Sequence, residues 1–372
     1  MTTGEYVLFI LPEPVLDDSN WDFQLLKSVS RRLGVRAVAV GRGRVRWRGS
    51  YIAPLINLDP VKLRGFRDLI HYTLYNVIYL IYAVRLLIKE GRPTLLISLD
   101  SYRFFLAYIL LSNLRVRKIA WWGGDPFKFL PARSPILRPL KPLLSLMTIT
   151  IGKTAEALVT TDSESATVLS KVIGRKLHRI ASILNIEPFL AKERRERHDG
   201  KLRVVYSGRI SEEKNLELLV EACSYVKGCE LVLTGYVESS PYLNRLKRLA
   251  GKNGTRLTYL GFLPIEELAD LYTRCHVAVL TSKSGEGTPG FLITSLAAGL
   301  PFVGPAIGDI PQLVNGYGII FSHPITGERL AQLITEVAER RWSMEEMREY
   351  VKRIQSRSVW TWLSLVKILL KR

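Results

Sequence analysis

Residues 277–301 read VAVLTSKSGEGTPGFLITSLAAGLP, and the reading of this stretch decides the fold. Val277, Ala278, Val279 and Leu280 make a short apolar run of the kind that forms a buried parallel strand. Gly285, Gly287 and Gly290 keep the loop that follows free of side chains, and Pro289 stiffens it. From Phe291 the period turns helical, because Phe291, Leu292, Leu296 and Ala297 fall on one face. Gly299, with Pro301 just after it, ends that helix. A parallel strand, a glycine-rich loop and a helix in that order form an anion site, where free backbone N–H groups and the positive end of the helix dipole converge. The glycines alone are a weak signal. Glu286 among them points to a ligand with hydroxyls as well as phosphates.

Outward from this stretch the chain alternates strands and helices. Towards the N-terminus the pattern predicts strands at 202–208, 229–234, 256–259 and 276–280, with helices at 216–225, 242–251 and 266–274 between them. Beyond Pro301 it predicts strands at 301–304 and 318–321 and helices at 328–340 and 345–357. The first half repeats the alternation, with strands at 6–11, 35–40, 95–99, 118–122, 157–161 and 179–184 and helices at 23–33, 104–114 and 164–173. Between the halves, LAKERRERHDGK is polar and densely charged, as a domain linker is. The expected fold is α/β, with two doubly wound parallel sheets facing one another and an interdomain cleft at the carboxyl ends of the strands. The boundaries read as 1–187 for the first domain, 188–201 for the linker, 202–355 for the second domain and 356–372 for a C-terminal helix.

Three further stretches carry apolar or basic character. Residues 72–88, YTLYNVIYLIYAVRLLI, are apolar nearly all round but contain Asn76 and Arg85, and they fall short of a membrane span. They read as a core helix under a sheet or as a helix that meets a membrane surface. Residues 134–150 interleave Arg138 and Lys141 with large aliphatic residues, as a packed connector or an interfacial segment would. The last stretch, SVWTWLSLVKILLKR, places Trp360, Leu363, Val366 and Leu370 at helical spacing, with Trp362, Leu365 and Leu369 widening the face. That helix either packs back on the protein or lies on a membrane. In GRGRVRWRG, Arg42, Arg44, Arg46 and Arg48 alternate with small or apolar residues, as in an exposed hairpin with its arginines on one side.

Composition narrows the function classes. The chain has 372 residues, enough for two cores, with 47% hydrophobic and 23% charged residues. Its 53 basic and 34 acidic residues give a net charge of +19, which favours anionic partners. No zinc-finger, RNP or basic-zipper pattern accompanies that charge, so nucleic acid is not expected. Cys223, Cys229 and Cys275 are scattered and odd in number, which suggests a reducing compartment without a disulfide framework. The start, MTTGEYVLFILPEP, has no basic leader and no small-residue cleavage site. His71, His178, His198, His276 and His323 read as structural or exposed.

A second constellation follows the strand at Val204–Tyr206. In SGRISEEKN, Gly208 allows a sharp turn, and Arg209 and Lys214 reach one point from one loop. A diphosphate leaving group needs such fixed cations where no metal meets its charge. Glu286 lies in the same half and at the same sheet edge, which makes the three a site.

With these residues in hand, the chain resembles a GT-B glycosyltransferase of the retaining family 4 type. SGRISEEKNLELLVEA resembles the family's glycine-arginine and lysine element, YLGFLPIEELADLY the stretch before the donor site, and LNIEPF the interdomain hinge. EGTPGFLITSLAAGLP resembles the family's pair of glutamates with seven residues between them; Glu286 stands at the first and Thr294 at the second. The resemblance implies diphosphate contacts from Arg209 and Lys214 and sugar-hydroxyl contacts from Glu286. It implies donor binding by Gly208, Gly261, Phe262, Leu263, Gly287, Thr288, Pro289, Gly290, Phe291 and Thr294. Thr294 offers one hydroxyl where the family's carboxylate holds the ribose. DDSNW at 17–21 stands where the family commonly has a Gly-Gly pair. Asp125, in the loop GGDPFKF, either acts near the reacting sugar or caps the turn before Pro126.

What the resemblance implies is a cytoplasmic enzyme that transfers a sugar with retention from a nucleotide-sugar donor to a glycan or lipid-linked acceptor. It implies no metal and no cofactor besides that co-substrate. The basic surface and the two apolar helices add an anionic membrane surface at the inner membrane face as an expected partner. A soluble enzyme making a small glycoside and a catalytically weak sugar-nucleotide-binding partner subunit remain the alternatives.

Overall fold

A computed structural model of the chain describes residues 6–15, 21–43, 46–47, 50–54, 66–127, 139, 141–193, 200–284 and 286–371. The expectations for 17–20, for the side chains of Trp21, His71 and the arginine-alternating stretch, for His198 and Gly285, for 134–138 and for linker residues 194–199 lie outside them. The chain divides into two compact units. The first comprises Met1–Asn185 and Ser356–Arg372, and the second Ile186–Gln355.

In the first unit the strands are β1 (Tyr6–Val15), β2 (Arg36–Gly43), β3 (Arg46–Trp47), β4 (Ser50–Pro54), β5 (Leu95–Leu99), β6 (Arg117–Trp122), β7 (Ala157–Thr160) and β8 (His178–Arg179). Its helices are α1 (Trp21–Leu33), α2 (Phe66–Glu90), α3 (Phe105–Asn113), α4 (Lys141–Thr154) and α5 (Ser163–Ile173). The sheet runs β3-β4-β2-β1-β5-β6-β7-β8. It is parallel except at its edge, where β3 runs antiparallel to β4. Only residues 48–49 separate those two strands, far fewer than a parallel crossover needs. Alternate residues of the strands feed two cores. Val7, Phe9, Ile97 and Trp121 pack with Phe23, Leu26 and Val29 of α1. Tyr6, Leu8, Ile10, Leu96 and Ala120 pack with Tyr79, Ala83 and Leu86 of α2, with Ala107 and Leu111 of α3, and with Met147 and Ile151 of α4.

The second unit starts with α6 (Glu187–Leu190) and continues β9 (Leu202–Ser207), α7 (Leu216–Ser224), β10 (Cys229–Thr234), α8 (Ser240–Asn253), β11 (Arg256–Tyr259), α9 (Ile265–Tyr272) and β12 (Val277–Val279). It then runs α10 (Gly290–Ala297), β13 (Phe302–Pro305), α11 (Ile310–Val314), β14 (Gly318–Phe321) and α12 (Gly327–Glu339). All pairs in its sheet are parallel, in the order β11-β10-β9-β12-β13-β14. The order reverses between β9 and β12, and the loops leaving those two strands diverge there. That point is where doubly wound sheets bind ligands.

Three expectations change. The helix expected at 345–357 and the C-terminal stretch are one helix, α13 (Met344–Lys371), because no glycine or proline interrupts the sequence between them. Its buried face within the first unit is Val359, Trp362, Val366 and Leu369, with Trp362 edge-on to Trp121 at 4.9 Å between ring centroids. Trp360, expected on that face, is exposed. The stretch read as a linker from residue 188 begins inside α6, where Phe189 is fully buried against Tyr272.

Candidate active site

The site in the second unit is built where its strand order reverses. β9 delivers Gly208, Arg209 and the 3₁₀ turn Glu212–Lys214, and β12 delivers the loop that carries Glu286. The backbone at the end of β9 crosses that at the end of β10 so closely that a Cβ on Gly235 would lie 2.0 Å from the Gly208 carbonyl oxygen. No side chain fits between them. The buried Tyr206 hydroxyl donates to the Arg209 carbonyl at 2.9 Å and fixes the turn that follows.

Lys214 and Glu286 meet in this loop pair. Lys214 Nζ donates to Glu286 Oε1 at 2.5 Å, and both side chains are nearly buried. Ser282 Oγ donates to the same carboxylate oxygen at 2.5 Å. The loop that carries Ser282 is tied back to the lysine, because Thr281 Oγ1 donates to the Lys214 carbonyl at 2.9 Å. His323 Nε2 lies 3.0 Å from the Ser282 carbonyl oxygen. Arg209 is held differently: its guanidinium pairs with Glu213 and, at 3.6 Å, with Glu238. The two cations are thus oriented by carboxylates, one of which is the glutamate singled out in the sequence.

The other residues singled out in the sequence lie on neighbouring loops of the same unit. Pro289 stands at the N-cap position of α10 with Gly290 as its first residue, so the first turn of that helix opens beside Glu286. Phe291 turns its ring away, edge-on to Tyr206, Tyr272 and Phe302 at 5.7, 6.1 and 5.8 Å. Thr294 Oγ1 donates to the Gly290 and Phe291 carbonyls at 3.0 and 3.2 Å, back onto its own helix. The Gly261 carbonyl accepts from Gly235 N–H at 2.8 Å and from Thr234 Oγ1 at 2.6 Å, which docks the Gly261–Leu263 loop on the end of β10. Phe262 in that loop is exposed, and Leu263 is partly buried. Gly287 accepts from Asp309 N–H at 3.3 Å, so the loop after β13 also leans on the glutamate loop.

In the first unit, Asp125 Oδ1 accepts from Phe127 N–H at 2.8 Å, the turn-capping bond that its place before Pro126 suggested. The loop that carries it is fastened on both sides. Gly123 N–H donates to Asp100 Oδ1 at 3.0 Å, and Thr161 Oγ1 donates to the Gly123 carbonyl at 3.2 Å. Asp100 itself is buried in a left-handed conformation (φ 48°, ψ 50°) at the end of β5.

Residues 190–354 match the family model described as Glycosyl transferases group 1. The second unit carries a glycosyl transferases group 1 domain. A curated relative, the amylovoran biosynthesis glycosyltransferase AmsK of Erwinia amylovora, is 30% identical over 143 residues, covering 36% of this chain and 35% of that protein. The match thus spans about a third of the relative's length. Among solved structures, sucrose-phosphate synthase from Thermosynechococcus elongatus superposes with a TM-score of 0.73 at 16% identity, over 99% of this chain and 97% of that one. Anabaena Alr3699/HepE in complex with UDP-glucose gives a TM-score of 0.65 at 14% identity, over 99% and 100%. At those identities the likeness shows the fold, which is GT-B.

Within the glycosyl transferases group 1 domain, the structure adds residues that pattern reading missed. Ser282 shares Glu286 with Lys214, and Gly308 lies under the Glu286 backbone, where a Cβ would stand 1.9 Å from the Glu286 carbonyl oxygen. His323, read as structural or exposed, props the Ser282 carbonyl. Ser282 could have been marked as a hydroxyl four residues before the glutamate in the same loop. Gly308 and His323 come from loops after β13 and β14, and only the parallel stacking of the sheet brings them to the site. His276, also read as structural, accepts the Arg203 N–H at Nδ1 at 2.9 Å.

Proposed function

We propose that this chain is a retaining glycosyltransferase of the family 4 type. It moves a sugar from a nucleotide-sugar donor to a glycan or lipid-linked acceptor at the cytoplasmic face of the membrane. The observation that carries the reading is the convergence of Lys214 and Ser282 on one carboxylate oxygen of Glu286 at the switch point of a glycosyl transferases group 1 domain. Arg209 and Lys214 meet the charge that develops on the departing diphosphate, and Glu286 holds the donor sugar's hydroxyls. The bond from the anomeric carbon to the diphosphate oxygen breaks. The bond to the acceptor oxygen forms on the same face, and the acceptor's proton passes to the leaving diphosphate. Such a step needs fixed cations more than a pair of catalytic carboxylates, and the residues around Lys214 supply them without a metal or other cofactor. Gly208, Gly261, Phe262, Leu263, Gly287, Thr288, Pro289, Gly290 and Phe291 complete the donor site in this reading, and Asp125, whose Oδ1 caps its own turn, is the first unit's candidate for a role near the reacting sugar.

A second reading has one specific observation behind it. The Thr294 hydroxyl is bonded into its own helix, so the ribose contact that the family's second glutamate makes is weakened here. That favours a sugar-nucleotide-binding partner subunit with little catalysis of its own.

Calorimetric titration with UDP, GDP, ADP and their sugar conjugates tests both. Tight binding of one conjugate, weakened in Glu286→Ala, together with release of nucleotide in the presence of acceptor, supports the transferase. Binding without turnover favours the partner subunit, and no binding to any of them overturns the donor assignment.

A further inference from the structure

Helix α2 carries two apolar faces, and the first unit uses one. Tyr79, Ala83 and Leu86 pack into the core under the sheet, and Asn76 is buried beside α3, its Oδ1 accepting from Leu106 N–H at 3.4 Å. Leu74, Val77, Ile81, Val84 and Ile88 recur at alternating steps of three and four and lie exposed, with Ile81 57% and Ile88 82% accessible. That spacing is one continuous stripe along the helix. It is not alone on its side of the sheet. α3 and α4 cover the same sheet face as α2 and share its core, and they expose Leu106, Leu143 and Leu146. Eight exposed aliphatic side chains on three helices of one layer exceed the single, scattered ones that are ordinary on a protein surface.

Between Asp68 and Glu90 of α2, and along α3 and α4, the charge has one sign. Residues 69–89, 105–113 and 141–154 contain no aspartate or glutamate. They do contain Arg85, Lys89, Lys141 and Lys153, all exposed. Glu90, at the end of α2, is taken up by Arg36 at 2.7 Å. A second copy of the chain would bring like charges together across the stripe, on a protein whose net charge is already +19. An anionic bilayer accepts both parts, the aliphatic stripe at the acyl boundary and the cations at the headgroups. No helix among the described residues is long and apolar enough to cross a membrane, so the contact is one of lying on the surface.

We propose that the outer face of α2, extended by Leu106, Leu143 and Leu146, docks the first unit on an anionic lipid surface. The proposal deepens the membrane-face part of the reading above and rests on it; it does not depend on the sugar-transfer step. Flotation of the full chain with phosphatidylcholine vesicles, and with vesicles of equal parts phosphatidylcholine and phosphatidylglycerol, tests it. The chain is expected to float with the mixed vesicles and to remain behind with the neutral ones. The double variant Ile81→Glu/Ile88→Glu should partition at least about tenfold less, with its thermal unfolding and nucleotide-sugar titration unchanged. Undiminished flotation of that variant overturns the surface and leaves the membrane-face reading standing on another part of the molecule. Failure of the parent chain to float with either vesicle overturns both. A dimer of the parent chain in sedimentation, dissolved in the variant, makes the stripe a contact between copies and also overturns the proposal.

Discussion

Lys214 Nζ and Ser282 Oγ both stand 2.5 Å from Glu286 Oε1, one arriving from the loop after β9 and the other from the loop after β12. The side chains of Lys214 and Glu286 are 11% and 9% accessible, so each charge depends on the other. Removing one partner of such a pair leaves a buried charge without compensation. Replacing both by apolar residues of similar size does not. Lys214→Met and Glu286→Leu are therefore each expected to lose about 3 kcal/mol of stability, and the double variant to regain most of it. All three should fail to bind the nucleotide-sugar donor. Denaturant unfolding of the four proteins, with donor titration beside it, reads both effects. Additive losses would show that the two charges do not depend on each other in solution.

The Arg209 guanidinium is shared by Glu213 and Glu238. A diphosphate must compete with those carboxylates for it. Arg209→Ala should lower turnover by about 10²–10³, the loss typical of one donor to a developing oxyanion. Glu213→Gln removes a competitor and should tighten nucleoside-diphosphate binding by a few-fold, on the scale of a partly exposed ion pair. Titrations at low and high salt separate this from a general charge effect. Weaker binding in Glu213→Gln would mean that the glutamate orients the arginine instead of competing for it.

Most of the fold could be read in the sequence because its signals are local. The apolar run at Val277–Leu280, the loop glycines and the helical period after Phe291 each depend on neighbours in the chain, and the structure places β12 and α10 there. Arg209, Lys214 and Glu286 could be singled out for the same reason, as charged residues in loops that leave strands. Gly308, His323 and Asp100 were not, because their roles depend on which strands lie side by side. α2 shows a third case. Its apolar residues gave a core helix or a surface helix as alternatives, and the helix has a face of each kind. Trp360 was misplaced by one position around α13, since a helix apolar over more than half its circumference does not say which edge of that arc is buried.

Gly308 offers a test of how tightly the site is supported from below. It adopts φ +53°, and a Cβ there would meet the Glu286 carbonyl oxygen at 1.9 Å. Gly308→Ala must move the Glu286 loop, at a cost of about 1–3 kcal/mol for the strained backbone, and donor binding should fall with it. Gly316→Ala is the matching control. Its φ is +84°, with nothing within 4 Å of the added carbon, so it should carry a backbone cost of similar kind and leave the donor titration unchanged. Equal donor affinity in the two variants would show that the loop after β13 does not set the position of Glu286.

Acid stability should depend on a cluster outside the site. Glu230 on β10 stands in register with Arg203 of β9 and Arg256 of β11. It contacts Lys201 at 2.6 Å, Arg203 at 3.1 Å and Arg256 at 3.6 Å. The hydrogen bond from Lys201 does most to hold its carboxyl below the usual range; partial burial opposes it, and the charges of Lys201, Arg203 and Arg256 add to it. A carboxyl whose pKa is depressed by folding contributes its stability above the unfolded value. That contribution is lost as the pH falls through the folded one. The window therefore opens below about pH 4, the range of an unperturbed glutamate. Glu230→Gln should cost less than about 1 kcal/mol at neutral pH, as partly exposed pairs do, and should flatten the fall in denaturant midpoint on the acid side. If parent and variant lose stability in parallel as the solution is acidified, Glu230 is solvated and the three cations do not hold it.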